Sequence, residues 1–134
     1  MFSGPLEDRI LIRERYGAYS DATFRQDVEG WLDSWHDDGV WAVFGKEISG
    51  KDAMRKQWAK IWQGIDCMGF FAEIGAIEVR GEEATARSYC REIVSLKNGG
   101  VFKVVASYTD KLAKVDGNWL FTRREYGLMI QEKP

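Results

Sequence analysis

Two acidic residues fall on the apolar faces of extended segments, and these are the positions where the chain could do chemistry. In VFKVVASYTDKLAKV, residues two apart share a strand face, so Ala106, Tyr108, Asp110 and Leu112 lie together while Ser107, Thr109 and Lys111 lie opposite. In EATARSYCREIVSL the same alternation sets Ala84, Ala86, Ser88, Cys90, Glu92 and Val94 against Thr85, Arg87, Tyr89, Arg91 and Ser95. Asp110 and Glu92 are therefore carboxylates among small or apolar neighbours. A buried carboxylate pairs, accepts several hydrogen bonds or takes up a proton, because a lone ionised one costs several kcal/mol. Asp110 reads either as a protonated hydrogen-bond donor inside an apolar cavity, or as the partner of an arginine such as Arg123 or Arg124, or as the cap of a neighbouring helix end. Glu92, with its pKa raised by burial, is the best available general base.

Other chemistry-bearing residues are fewer. Tyr16 and Tyr19 share a stripe of the first expected helix, and Tyr19 can point its hydroxyl into the same cavity or serve as a core residue satisfied locally. His36 is the sole histidine and precedes Asp37 and Asp38, at an expected helix end where a cation is favoured. Cys67 and Cys90 are isolated thiols with no CxxC spacing and no nearby histidine, which argues against a metal site and against a disulfide.

Three helices and a run of strands must hold these groups. Pro5, followed by Glu7 and Asp8, opens a helix over about 5–24, with Ile12, Tyr16, Tyr19 and Thr23 on one stripe. Between Asp27 and Phe44 the hydrophobic period changes: Val28, Trp31, Leu32 and Trp35 define a second helix face, HDDG breaks it, and Val40–Phe44 is an extended apolar run. Ser49 with Asp52 three residues later has the spacing of a capping box for a third helix carrying Met54, Trp58, Ile61 and Trp62, ending near Gly64. Beyond Gly69, the turn signals Arg80-Gly81, Asn98-Gly99-Gly100 and Asp116-Gly117 separate strands near 70–79, 83–96, 101–114 and 118–130, joined as antiparallel hairpins. The expected fold class is α+β, with helices on one face of a curved sheet in a single domain over residues 1–134.

Composition sets the outer bounds. With 19 basic and 21 acidic residues dispersed along 134 positions, nothing favours a nucleic-acid partner. No window approaches the roughly 18 apolar residues of a membrane span, and the acidic residues near the amino terminus argue against a secretory signal. A cytoplasmic location is the expectation. Six tryptophans exceed what a core of this size needs, so some should line a ligand site.

WLDSWHDDGVW, the ISGKDAM helix entry, YTDKL and the closing DGNWLFTRR together resemble the SnoaL-like branch of the nuclear transport factor 2-like superfamily over roughly residues 6–128. The resemblance implies a cone-shaped α+β barrel, three amino-terminal helices packed on a strongly curved, mixed but mainly antiparallel sheet. It also implies a pocket reused by isomerases, cyclases, dehydratases and non-enzymatic adaptors, so that function does not follow from fold. Tyr19 stands where ketosteroid isomerases have an oxyanion-hole tyrosine, and Asp110 where they have a protonated aspartic acid. Their proton-shuttling aspartate falls on Val43. The first-helix aspartate of scytalone dehydratase and hexachlorocyclohexane dehydrochlorinase relatives falls on Phe24, and their histidine near Phe70.

The resulting expectation is a small lyase or isomerase, needing no cofactor and no metal, that acts on an apolar, aromatic or polycyclic small molecule. Tyr19, Asp110 and Glu92 are the expected catalytic residues. Tyr16, Trp35, Trp41, Trp58, Trp62, Phe70 and Tyr108 are the expected substrate-binding residues. The alternative is a non-catalytic binder of an apolar ligand, or an assembly protein resembling a dioxygenase β subunit. On any of these readings the resemblance implies a homodimer or homotrimer through the outer sheet face, which bears Arg87, Tyr89 and Arg91.

Overall fold

Pro5, which has no N–H to leave unsatisfied, sits at the entry of the first helix, and two acidic residues in the first turn meet the positive end of the helix dipole. The computed structural model describes residues 1–134. A two-residue strand, β1 (Phe2–Ser3), precedes α1 (Leu6–Phe24), whose buried stripe contains Ile12, Tyr16, Tyr19 and Thr23 as the periodicity predicts. Asp8 ties that helix to the sheet: its carboxylate accepts from the Trp119 indole at 3.0 Å and from Lys114 at 3.0 Å.

The second helix is shorter than its apolar pattern suggests. α2 spans Val28–Leu32, with Asp27 capping it by accepting from the Gly30 N–H at 3.0 Å. Trp35 belongs to the next strand, β2 (Trp35–Val43), not to the helix face. The reason lies across the sheet, where Phe121 N–H donates to the Ser34 carbonyl at 2.9 Å and draws the chain into a ladder. HDDG is then a wide bulge inside β2, because pairing with the last strand jumps from Trp35↔Phe121 to Val40↔Arg123. Gly39 permits it: a Cβ there would stand 3.0 Å from both the His36 carbonyl and the Trp35 ring. His36 is accordingly no helix terminus, and its Nδ1 accepts from the Asp38 N–H at 3.0 Å.

Phe44 and Gly45, both at positive φ (56° and 72°), make a two-residue hairpin into β3 (Lys46–Ser49). α3 (Lys51–Trp62) follows, but Ser49 does not cap it. Ser49 is paired with Val40 in the hairpin, and Gly50 occupies the cap position with its N–H donating to the Gly39 carbonyl at 2.9 Å.

Four long strands complete the chain: β4 (Ile65–Arg80), β5 (Glu83–Leu96), β6 (Val101–Val115) and β7 (Asn118–Glu132). β4 begins five residues before the expected start, since Ile65 already pairs with Leu96. The seven-stranded sheet has the order β1-β4-β5-β6-β7-β2-β3 and is antiparallel except at β1·β4 and β2·β7. Register shifts at Ile74/Ala76 and Lys111/Leu112 add residues on one side of a ladder and sharpen the right-handed twist. The sheet so curved wraps the three helices into a cone-shaped α+β fold, as expected.

Aromatic rings fill the junction between layers. Phe121 is fully buried, with ring centroids of Tyr16, Tyr19 and Trp35 at 5.1, 5.6 and 5.9 Å. Phe121→Ala should cost roughly 3–5 kcal/mol of unfolding free energy in urea titration, the usual penalty for emptying so large a buried volume.

Candidate active site

Three rows of inward side chains cross the inner face of the sheet and carry the site. The lowest runs Ala86, Asp110, Arg124, Trp41; the next Ser88, Tyr108, Tyr126; a higher one Phe70, Glu92, Val104, Gln131. Strand parity thus places Asp110 and Glu92 inside, as read from sequence. The two carboxylates nevertheless meet different environments.

Asp110 is fully buried in an ion pair. Arg124 Nε donates to Oδ1 at 2.9 Å and Arg124 Nη2 to Oδ2 at 3.1 Å, while the Tyr16 hydroxyl also donates to Oδ2 and Ser88 Oγ lies 3.5 Å away. Every one of these contacts makes Asp110 an acceptor. The arginine-paired alternative therefore holds, and the protonated cavity donor does not. Tyr16, expected among the substrate-binding residues, is held on Asp110 and does not line the cavity. Trp35 is also corrected: wholly buried, it packs on Trp31, Trp41 and Phe121 behind the cavity wall.

Arg124 is enclosed by rings as well as by its carboxylate. Its guanidinium carbon is 3.8 Å from the Tyr108 ring centre, 4.4 Å from Phe121, 4.5 Å from Tyr19 and 5.2 Å from Tyr16. Burial works against the charge, but the adjacent Asp110 carboxylate together with the phenols of Tyr19, Tyr16 and Tyr108 outweighs it and holds the guanidinium well above its ordinary pKa. Nη1 has no hydrogen-bond partner, which leaves the ring faces as its compensation.

Above this floor opens a cavity of about 430 Å³, of the size that takes a drug-like small molecule. Tyr19, Trp41, Trp58, Trp62, Phe70 and Tyr108 line it, so six of the expected positions converge there with Glu92. Glu92 is the sole carboxylate in the lining, and no lysine, arginine or histidine joins it. Its Oε2 accepts from the Tyr126 hydroxyl at 3.2 Å; Oε1 has no partner from the protein. Burial raises the Glu92 carboxyl above its ordinary value, and the Tyr126 hydrogen bond offsets part of that rise. Burial likewise raises the Tyr19 phenol, against the pull of the Arg124 charge, and pushes the Cys90 thiol up to about 12. Tyr19 and Tyr108 thus stay protonated and available as donors at neutral pH. No three His, Cys, Asp or Glu side chains form a metal-binding group.

Tyr126, Trp31 and Phe44 are lining residues that sequence reading misses. Trp119 and Phe121 face inward, but a register shift changes the phase of β7, so that Arg124 and Tyr126 face inward next. Simple alternation from Trp119 would have turned Arg123, not Arg124, to the core. Phe44 lines the mouth while 62% exposed, in a left-handed backbone conformation set by the hairpin.

Fold and cavity together define a cone-shaped α+β protein built around a largely apolar cavity. More narrowly, the SnoaL-like domain model matches residues 5–125, and the chain belongs to that family. Among curated proteins none matches. A provisionally named aromatic ring hydroxylase from Novosphingobium aromaticivorans superimposes with a TM-score of 0.90 at 20% identity, covering 98% of this chain and 96% of its own. A provisionally named scytalone dehydratase from the same organism gives 0.89 at 22% identity, with 96% and 89% covered. A hexachlorocyclohexane dehydrochlorinase from Novosphingobium barchaimii gives 0.86 at 16% identity, with 96% and 91% covered. At such identities the likeness establishes the fold. No helix is long and apolar enough to cross a membrane.

Removing Asp110 leaves a buried guanidinium unpaired. Asp110→Ala should lose roughly 3–5 kcal/mol of stability by chemical denaturation, and the double variant Asp110→Ala with Arg124→Met should regain part of it.

Proposed function

We propose that the protein is a small cofactor-independent enzyme of lyase or isomerase type, acting on an apolar aromatic or polycyclic molecule held in the conical cavity. One observation carries this reading: a single carboxylate, Glu92, stands in a mostly apolar wall with Oε1 free of protein partners. A carboxylate so placed is a general base whose pKa, raised by burial, moves toward working pH. Glu92 takes a proton from a carbon adjacent to a carbonyl. Tyr19 and Tyr108 donate to the oxygen on which the charge develops, in a cavity where such donors act at low dielectric. Their rings rest on the Arg124 guanidinium, which favours negative charge at that end. Proton return to the substrate completes an isomerisation; loss of a β-substituent completes an elimination.

The test is hydrogen exchange at an activated carbon. With 2-tetralone in D₂O, proton NMR should record catalysed exchange next to the carbonyl, rising with pH as the Glu92 carboxyl ionises. Glu92→Gln should lower it by roughly 10²–10⁴-fold. Absence of exchange with any of a panel of cyclic ketones that bind would overturn the enzymatic reading in favour of ligand binding alone.

Self-association through the outer sheet face is part of the proposal. Phe24 and Phe71 meet edge to face at 5.3 Å, both exposed, and Arg91 lies 5.0 Å over the Phe71 ring beside exposed Tyr89. Sedimentation at micromolar concentration should return a dimer or trimer, and Phe71→Glu should shift it to monomer; a monomeric parent protein defeats this part.

A further inference from the structure

The protein already holds one buried cation, and the way it does so indicates what the cavity could hold. Arg124 is kept charged by a carboxylate on one side and by the faces of Tyr108, Tyr19 and Phe121 on the other. Three rows higher the same ingredients recur without the cation. Glu92 presents Oε1 to the cavity with no partner, and from the helical side Trp31, Trp58 and Trp62 form a continuous tilted stack, with centroids 4.7 and 5.5 Å apart. Asp110 neutralises Arg124, so Glu92 is the uncompensated charge of the cavity wall.

We propose that the cavity selects an organic ammonium ion: a small arylalkylamine whose charged nitrogen meets Glu92 Oε1 while its ring lies among the tryptophans. Indole faces pack against an aromatic ring, and a carboxylate whose single protein contact is the Tyr126 hydroxyl gains a cation partner when one arrives with the ligand. An anionic ligand meets the reverse: the Glu92 charge repels it, and no basic side chain in the wall receives it. The proposal rests on the placement of Glu92 assigned above; because the ammonium occupies the oxygen that acts as base, it is a ligand of the cavity and not the substrate of the proton transfer, and it requires binding only and no turnover.

The groups facing Glu92 define the pH response. On β7 it meets Tyr126, on β6 Tyr108 and on its own strand Cys90, all of which are neutral over the range in which a carboxyl titrates. Across β4 it meets Phe70, and the lining part of α3 offers only Trp58, Ile61 and Trp62. Ammonium binding should therefore strengthen as pH rises through the raised Glu92 pKa, since the ion pair forms only with the ionised carboxyl.

Isothermal titration with 2-phenylethylammonium and with the near-isosteric, uncharged 2-phenylethanol separates charge from shape. The intact protein should bind the ammonium about tenfold more tightly at neutral pH, with the preference falling toward acid pH. Glu92→Gln should erase the preference and leave the alcohol's affinity in place. Tyr126→Phe, which removes the hydroxyl on Oε2 and keeps the charge, should retain it. Equal affinities, no binding of the ammonium, or a preference that survives Glu92→Gln would each overturn the proposal. Tetralone exchange that persists under any of these results would leave the catalytic reading standing, and ammonium selection without exchange would leave the binding reading standing.

Discussion

A guanidinium sealed inside the cone, against Asp110 and four aromatic rings, is the constraint to which much of the interior conforms. Taking Arg124 and Asp110 out of water costs several kcal/mol per ion, and only close pairing with further hydrogen bonds returns it. Two N–H groups of Arg124 meet the two carboxylate oxygens, and Tyr16 and Ser88 supply the remaining contacts. The elements involved come from α1, β5, β6 and β7, so one ion pair ties the helix layer to three adjacent strands. A residue doing this cannot also present itself to a ligand. The chemistry left to the cavity therefore falls on Glu92, three rows higher, where the wall is mostly apolar.

The division of labour between two inward carboxylates follows from their neighbours. Asp110 lies between Ala86 and Arg124 in its row, and Glu92 lies between Phe70 and Val104. One has a cation beside it, and the other has hydrocarbon. Burial thus produces a permanent ion pair in the first case and a carboxyl of raised pKa in the second, available to exchange a proton or to meet a charged ligand. Phenols that line the cavity share their rings with the buried guanidinium, which links the structural layer to the functional one through Tyr19 and Tyr108.

Much of this was legible as periodicity. Alternation in β5 and β6 assigned the inward positions residue by residue, because both strands run without interruption through their hairpins. The α1 stripe and the third helix followed from 3.6-residue spacing. Less legible was the segment 33–50, where Trp35 continues a helical pattern yet lies in a strand, Ser49 has the spacing of a cap yet sits in a hairpin, and Gly39 serves a bulge. Each local signal there was outweighed by a backbone hydrogen bond to a distant partner: Phe121 for Ser34, and Gly39 for Gly50.

Local sequence alone determined the fold class, the inward faces of β5 and β6 and the aromatic character of the interior, since these depend on side-chain period and hydrophobicity within a single element. For Asp110 it offered a protonated cavity donor, a helix cap or an arginine partner such as Arg123 or Arg124, without choosing. Tertiary structure made that choice, because a register shift in β7 changes the strand's phase and turns Arg124, not its neighbour, toward the core. With that, it decided that Asp110 is neutralised and that Glu92 keeps a free oxygen in the cavity. The physical reason is that the environment of a buried charge is set by residues on other strands, at separations that no local pattern encodes.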